Sequence, residues 1–244
     1  MLRYCTGLLL SPLYLTVWAG LLLVFHVLQW AALYSRGESA RRRMASALNW
    51  CLLHCIWLLG IRPVLIYKEK PPTDKPLIIV ANHQNQIDIS GISWLFRQQD
   101  PVFVSKIELG RGLPSISYNL RHSGAALIDR QDPRQSLREI ARLGKLIQQE
   151  TRAAVIFPEG TRARDGQLQL FATAGVKMLL KNAPDAVVIP VAIDGAWRMG
   201  SLRHFPLGTI FQIRWTVLPA LPAATAEQLV AQAETAIRRE LGQG

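Results

Sequence analysis

His83 and Asp88 are the pair of side chains in this sequence best suited to acid–base chemistry. They belong to Asn82-His83-Gln84-Asn85-Gln86-Ile87-Asp88, which follows the apolar run Leu77-Ile78-Ile79-Val80-Ala81 and precedes an amphipathic stretch. A strand ending at the histidine, with the aspartate opening a helix, brings both groups into one crevice. The carboxylate then holds one imidazole nitrogen while the other takes a proton from a substrate hydroxyl. A second cluster, Phe157-Pro158-Glu159-Gly160-Thr161-Arg162, also follows an apolar run. Its Gly160 permits close backbone approach, Arg162 offers a guanidinium fork suited to phosphate, and Thr161 adds a hydroxyl donor. Lys106, in Ser105-Lys106-Ile107-Glu108-Leu109, supplies a second positive point charge. Either cluster alone arises often by chance, so the weight lies in their occurring together at strand ends.

The elements that must position these residues come from hydrophobic patterning. Short apolar runs rich in β-branched residues occur at 77–80, 102–104, 125–128, 153–157, 187–192 and 211–217. Helical patterns separate several of them. Residues 91–96 follow the first motif, and Asp132-Pro133 starts a helix with a capping residue and Pro at its first position. Residues 172–180 read as another helix, and Thr225 with Gln228 forms a capping box that opens the last. Such alternation predicts an α/β fold with a largely parallel central sheet flanked by helices. Ligands of these sheets bind beyond the carboxyl ends of the strands. His83, Lys106, Arg130 and Glu159 each fall within a few residues of such an end.

Half of the 244 residues are hydrophobic, and 28 Lys and Arg against 17 Asp and Glu give a formal net charge of +11. That balance calls for an anionic partner, such as lipid headgroups or a phosphorylated substrate. Nucleic acid is disfavoured, since no zinc-finger spacing, RNP-like aromatic motif or long Lys-rich tract is present. Cys5, Cys51 and Cys55 are too few for a disulfide framework and read as apolar filler. Neither a metal nor another cofactor is expected.

Residues 4–35 carry no Lys, Arg, Asp or Glu, a stretch longer than the ~20 residues a helix needs to cross the hydrocarbon core. A short basic link (Arg36, Arg41, Arg42, Arg43) leads to a second uncharged stretch, 44–61, with Trp50 and Trp57 suited to a lipid–water interface. The reading is an N-terminal hydrophobic helical hairpin for membrane association, either within one leaflet or as one span plus a surface helix. The basic cluster favours a cell inner membrane with the body on the cytoplasmic side.

With these motifs in hand, the chain resembles the glycerolipid acyltransferase family, most closely its 1-acyl-sn-glycerol-3-phosphate acyltransferases. Four sequence blocks typical of that family follow in order. They are Asn82-His83 with Asp88; Lys106-Ile107-Glu108-Leu109 through Pro114, with Gly124 and Ile128-Asp129-Arg130 after it; Phe157-Pro158-Glu159-Gly160-Thr161-Arg162; and Val187-Val188-Ile189-Pro190-Val191-Ala192. The chain departs at Asn85, where family members often carry Ser or another small residue, and Gln84 and Gln86 are also unusually polar there. The resemblance implies a membrane-associated hairpin over 1–62 and an α/β acyltransferase domain over 63–244. It implies transfer of an acyl group from acyl carrier protein or coenzyme A to lysophosphatidic acid, giving phosphatidic acid. Another lysolipid acceptor, such as lyso-ornithine lipid, is the alternative. His83 and Asp88 would be catalytic, while Glu159, Gly160, Thr161, Arg162, Lys106 and Arg130 would bind the glycerol phosphate end. Backbone amides near the first block are candidates to hold the oxyanion. A serine-type hydrolase would need a Gly-x-Ser-x-Gly elbow, which the sequence lacks.

Overall fold

The computed structural model describes residues 2–200 and 205–243. Seven strands form one sheet: β1 (Arg62–Tyr67), β2 (Leu77–Ala81), β3 (Val102–Lys106), β4 (Ala126–Ile128), β5 (Ala153–Ile156), β6 (Val187–Asp194) and β7 (Gln212–Val217). Their spatial order is β1-β7-β6-β2-β5-β3-β4. Every neighbouring pair is parallel except β6–β7. The sheet is thus mostly parallel and mixed, as the alternation of patterns predicts. β1 is an additional strand absent from that pattern, a half-buried edge whose Pro63 suits a position needing fewer ladder bonds.

Side chains of a strand alternate between faces, and β2 shows what each face covers. Leu77, Ile79 and Ala81 join the core layer that includes Leu53, Ile56, Leu59, Ile92 and Trp215. Ile78 and Val80 point the other way, onto a layer formed by α5 (Pro133–Glu150), α6 (Thr173–Asn182) and α7 (Ala226–Glu240). Each fully buried Ile or Leu here contributes about 1.5–3 kcal/mol relative to exposure. Asp132 caps α5 by accepting the Gln135 N–H at 2.9 Å, and the Thr225/Gln228 capping box opens α7.

α3 (Asp88–Leu95) lies on the first face against β7. A Cβ added at Gly91 would fall 2.3 Å from the Trp215 ring, so only glycine lets this helix sit so close. That close seat fixes the start of α3, and with it Asp88. A short helix, α4 (Ile116–His122), lies outside the predicted elements.

The N-terminal region is α1 (Leu2–Arg36) and α2 (Glu38–Cys55), separated at Gly37, whose φ of 78° breaks the helix. Residues Tyr4–Arg36 form a helix long and apolar enough to cross a membrane, with 17% of its most apolar window buried. The basic cluster is not a link. Arg41, Arg42 and Arg43 lie inside α2, where Arg41 and Arg42 find charged partners. Arg41, 1% exposed, donates to Glu38 and to Asn119, and Arg42 pairs with Glu38, Asp100 and Glu150.

Candidate active site

Because β2 and β5 are adjacent and parallel, the segments leaving their carboxyl ends emerge side by side. His83 follows β2 and the 157–162 turn follows β5. β3 and β4 continue the same parallel row and bring Lys106 and Arg130 to the same edge. At about 4.8 Å per strand, those two cations stand two and three strands away from β2.

Asp88, fully buried, concentrates three hydrogen bonds on Oδ2. It accepts the Gln84 N–H at 2.6 Å and the Asn85 N–H at 2.8 Å, and His83 Nδ1 lies 2.8 Å away. A carboxylate can only accept, so the imidazole proton sits on Nδ1 and the Nε2 lone pair faces outward. The ring stacks on Phe157, with centroids 4.2 Å apart. Arg162 Nε donates to His83 Nε2 at 3.4 Å. The same interaction requires Nε2 to be unprotonated. Burial lowers the Arg162 pKa, although Asp88 opposes that shift; the side chain as a whole still reaches solvent.

The two loops are laced together. His83 donates its N–H to Glu159 Oε1 at 2.6 Å and accepts the Ala163 N–H at 2.8 Å. Glu159 Oε2 accepts the Gln169 N–H at 3.1 Å. Burial pushes the Glu159 carboxyl up to about 7 despite those two amide donors. Gly160 closes the turn onto the Phe157 carbonyl with φ of 68° and open space around it, so its backbone conformation, not crowding, requires glycine. The amides of His83, Gln84 and Asn85 are already occupied, one by Glu159 and two by Asp88.

His83 lines a cavity of about 1270 Å³. Lys106, Arg130, Gly160, Thr161 and Arg162 line it together with His83. Leu48, Leu52, Phe103, Leu113 and Leu120 supply apolar wall. Asp88 and Glu159 stand behind that lining and act on it through His83. All eight sequence-derived residues therefore fall at one edge of the sheet, six on the cavity surface and two in support.

Sequence reasoning passed over several participants. Arg164 also lines the cavity, two positions beyond Arg162, a spacing that could have flagged it. Asn82 clamps β6, donating to the Ile193 carbonyl at 2.8 Å and accepting its N–H at 2.7 Å. Asn85, the departure from the family pattern, is buried and donates to the Gly200 carbonyl at 2.6 Å. No local signal in the sequence reveals either long-range bond.

Known proteins resemble this chain in sequence and in fold. The Acyltransferase family model matches residues 63–194. A 1-acyl-sn-glycerol-3-phosphate acyltransferase of Limnanthes douglasii is 30% identical over 155 residues, 62% of this chain and 53% of the relative. One from Chlamydomonas reinhardtii is 33% identical over 178 residues, covering 70% and 50%. The corresponding enzyme of Pseudomonas aeruginosa is 28% identical over 168 residues, covering 66% and 62%. The chain thus spans about half the length of the first curated relatives it matches. The crystal structure of the 1-acyl-sn-glycerophosphate acyltransferase PlsC from Thermotoga maritima shares the fold, with a TM-score of 0.80 at 20% identity over 99% of this chain and 97% of that one. With the family model covering the segment that builds both the sheet edge and its polar cluster, this chain belongs to the Acyltransferase family.

Proposed function

We propose that the protein transfers a fatty acyl group from an acyl thioester to the sn-2 hydroxyl of 1-acyl-sn-glycerol-3-phosphate, forming phosphatidic acid. The observation that carries this reading is the His83–Asp88 pair, 2.8 Å apart, with His83 lining a cavity that both cationic and apolar side chains share. His83 Nε2 takes the acceptor's hydroxyl proton as that oxygen bonds to the thioester carbonyl carbon. The carbon–sulfur bond then breaks, and the departing thiolate takes the proton from the imidazolium. Asp88 holds the tautomer and stabilises the imidazolium. General-base catalysis of this kind is worth about 10²–10⁴-fold.

Arg162 and Thr161 bind the acceptor's phosphate, with Lys106 and Arg130 adding charge further along the edge. Gly160 shapes the turn. Glu159 acts at the phosphate end by positioning, since its carboxylate is engaged with backbone amides of both loops. The donor is acyl carrier protein or coenzyme A, which present the same thioester, and no cofactor takes part. The names of the relatives in plants, algae and bacteria favour this acceptor over other lysolipids.

The acceptor lies in a bilayer, and the exposed apolar surface of α1 supports docking there. Residues 1–62 act as the membrane-associated part and 63–244 as the catalytic domain. Arg42 pairs with Asp100 and Glu150, which ties the basic cluster to the side of the body. Clusters of that sign face the cytoplasm, supporting a cytoplasmic catalytic domain on a cell inner membrane. The test is an acceptor panel: protein in phospholipid vesicles is given labelled acyl thioester with lysophosphatidate, lysophosphatidylethanolamine or lyso-ornithine lipid. Phosphatidate as the dominant product is expected. Dominant acylation of another acceptor would replace this reading.

A further inference from the structure

Arg162 does more than face the phosphate site. Its Nε–H is directed at His83 Nε2, the nitrogen that must be vacant for the base to work. An imidazole nitrogen has one lone pair, and while it accepts from a guanidinium it cannot accept from a substrate hydroxyl or from water. The other imidazole nitrogen is committed to buried Asp88. The ring is held from below by Phe157, so it cannot readily turn away from Arg162. Arg162, by contrast, is accessible from the cavity, and among the described residues its guanidinium makes no hydrogen bond other than that to His83.

We propose that Arg162 is a gate on the catalytic base: it occupies the His83 lone pair until the acceptor's phosphate draws the guanidinium away. This rests on the functional reading above and adds to it a division between transfer and hydrolysis. A phosphate offers the guanidinium a charge-assisted, two-pronged interaction far stronger than one long bond to a neutral nitrogen. Phosphate arrival therefore frees Nε2 at the moment a hydroxyl is beside it. Before that, a bound acyl thioester is protected. Its loss would require His83 Nε2 to take a proton from water while the water oxygen bonds to the carbonyl carbon. The carbon–sulfur bond would then break, and the thiolate would collect the proton from the imidazolium, leaving a fatty acid and a free thiol. In a site whose role is acyl transfer, that side reaction wastes the donor.

The full-length protein in vesicles is given acyl-coenzyme A without acceptor, and thiol release is followed with a chromogenic disulfide reagent. Transfer to lysophosphatidate is measured on the same preparations. Arg162→Ala is expected to raise acceptor-independent thiol release about tenfold, the scale of one lost hydrogen bond to a charged group, while transfer falls. Arg162→Gln, a smaller change in bulk, should move both rates in the same directions, and His83→Ala in the Arg162→Ala background should abolish the gain. Thiol release that stays flat or falls together with transfer in both Arg162 variants would overturn the gate and leave Arg162 as a phosphate ligand only. Wild-type protein that acylates no lysophosphatidate would instead sink the functional reading, a separate result on a separate measurement.

Discussion

Two parts of the same sheet edge are built on opposite principles. At β2 and β5, His83 is fixed on every side: Asp88 on Nδ1, Phe157 beneath the ring, and Glu159 and Ala163 on its main chain. Two and three strands away, Lys106 and Arg130 are exposed on the cavity rim. Under the proposed reaction, the difference follows from what each region would have to do. Proton transfer depends on sub-ångström placement and a chosen tautomer, so it needs burial and many bonds. Attraction of a phosphate falls off slowly with distance and tolerates a mobile side chain, so charge on a rim suffices. The fixed half should thus respond sharply to single changes and weakly to salt, and the rim the reverse.

His83→Ala should produce the largest effect, a loss of about 10²–10⁴-fold in transfer rate, with circular dichroism and vesicle flotation unchanged. Near-normal turnover would erase the distinction between the two regions. Arg162→Ala, at the boundary between them, should lower kcat/KM for lysophosphatidate by roughly 10–150-fold, the range for one bond to a charged group. A lysolipid acceptor lacking phosphate should lose much less, and equal losses would make Arg162 structural. Lys106→Ala and Arg130→Ala should each cost less than about tenfold and vary with ionic strength, as exposed charges do. A large, salt-insensitive loss at either would show that the rim is as tightly specified as the base.

The smallest effect concerns stability. The Glu159 carboxyl is raised to about 7 by burial, so its contribution to folding is fully present at pH values below the ordinary carboxylic range and is lost as pH rises through about 7. The melting temperature of wild type minus that of Glu159→Gln should fall across that window. A difference that does not change with pH would show that Glu159 is not held neutral by its surroundings.

Much of this organisation could be read from local patterns, for physical reasons that also mark the limits. β2, β5 and β6 are buried on both faces, so they appear as continuous apolar runs that turns bound clearly. The His83 and Glu159 segments stand out because they place polar residues directly after such runs. β1 escaped notice because it is a half-buried edge opening with Arg62 and Pro63. The antiparallel direction of β7 is set by its neighbours rather than by its own residues. Arg41–Arg43 resemble a solvated link in sequence, yet Arg41 is buried because Asn119, far along the chain, receives it. The roles of Asn82, Asn85 and Phe157 depend on partners from other strands or loops, which spacing along the chain does not encode.

The central claim is that His83 is the base and that Asp88 works only through it. A double-mutant cycle tests this directly: transfer rates to lysophosphatidate for wild type, His83→Ala, Asp88→Asn and the double variant. The account predicts that each single change is severe and that Asp88→Asn costs nothing further once His83 is gone. Losses that multiply in the double variant would contradict it, because Asp88 would then be acting on the reaction by a route that bypasses His83.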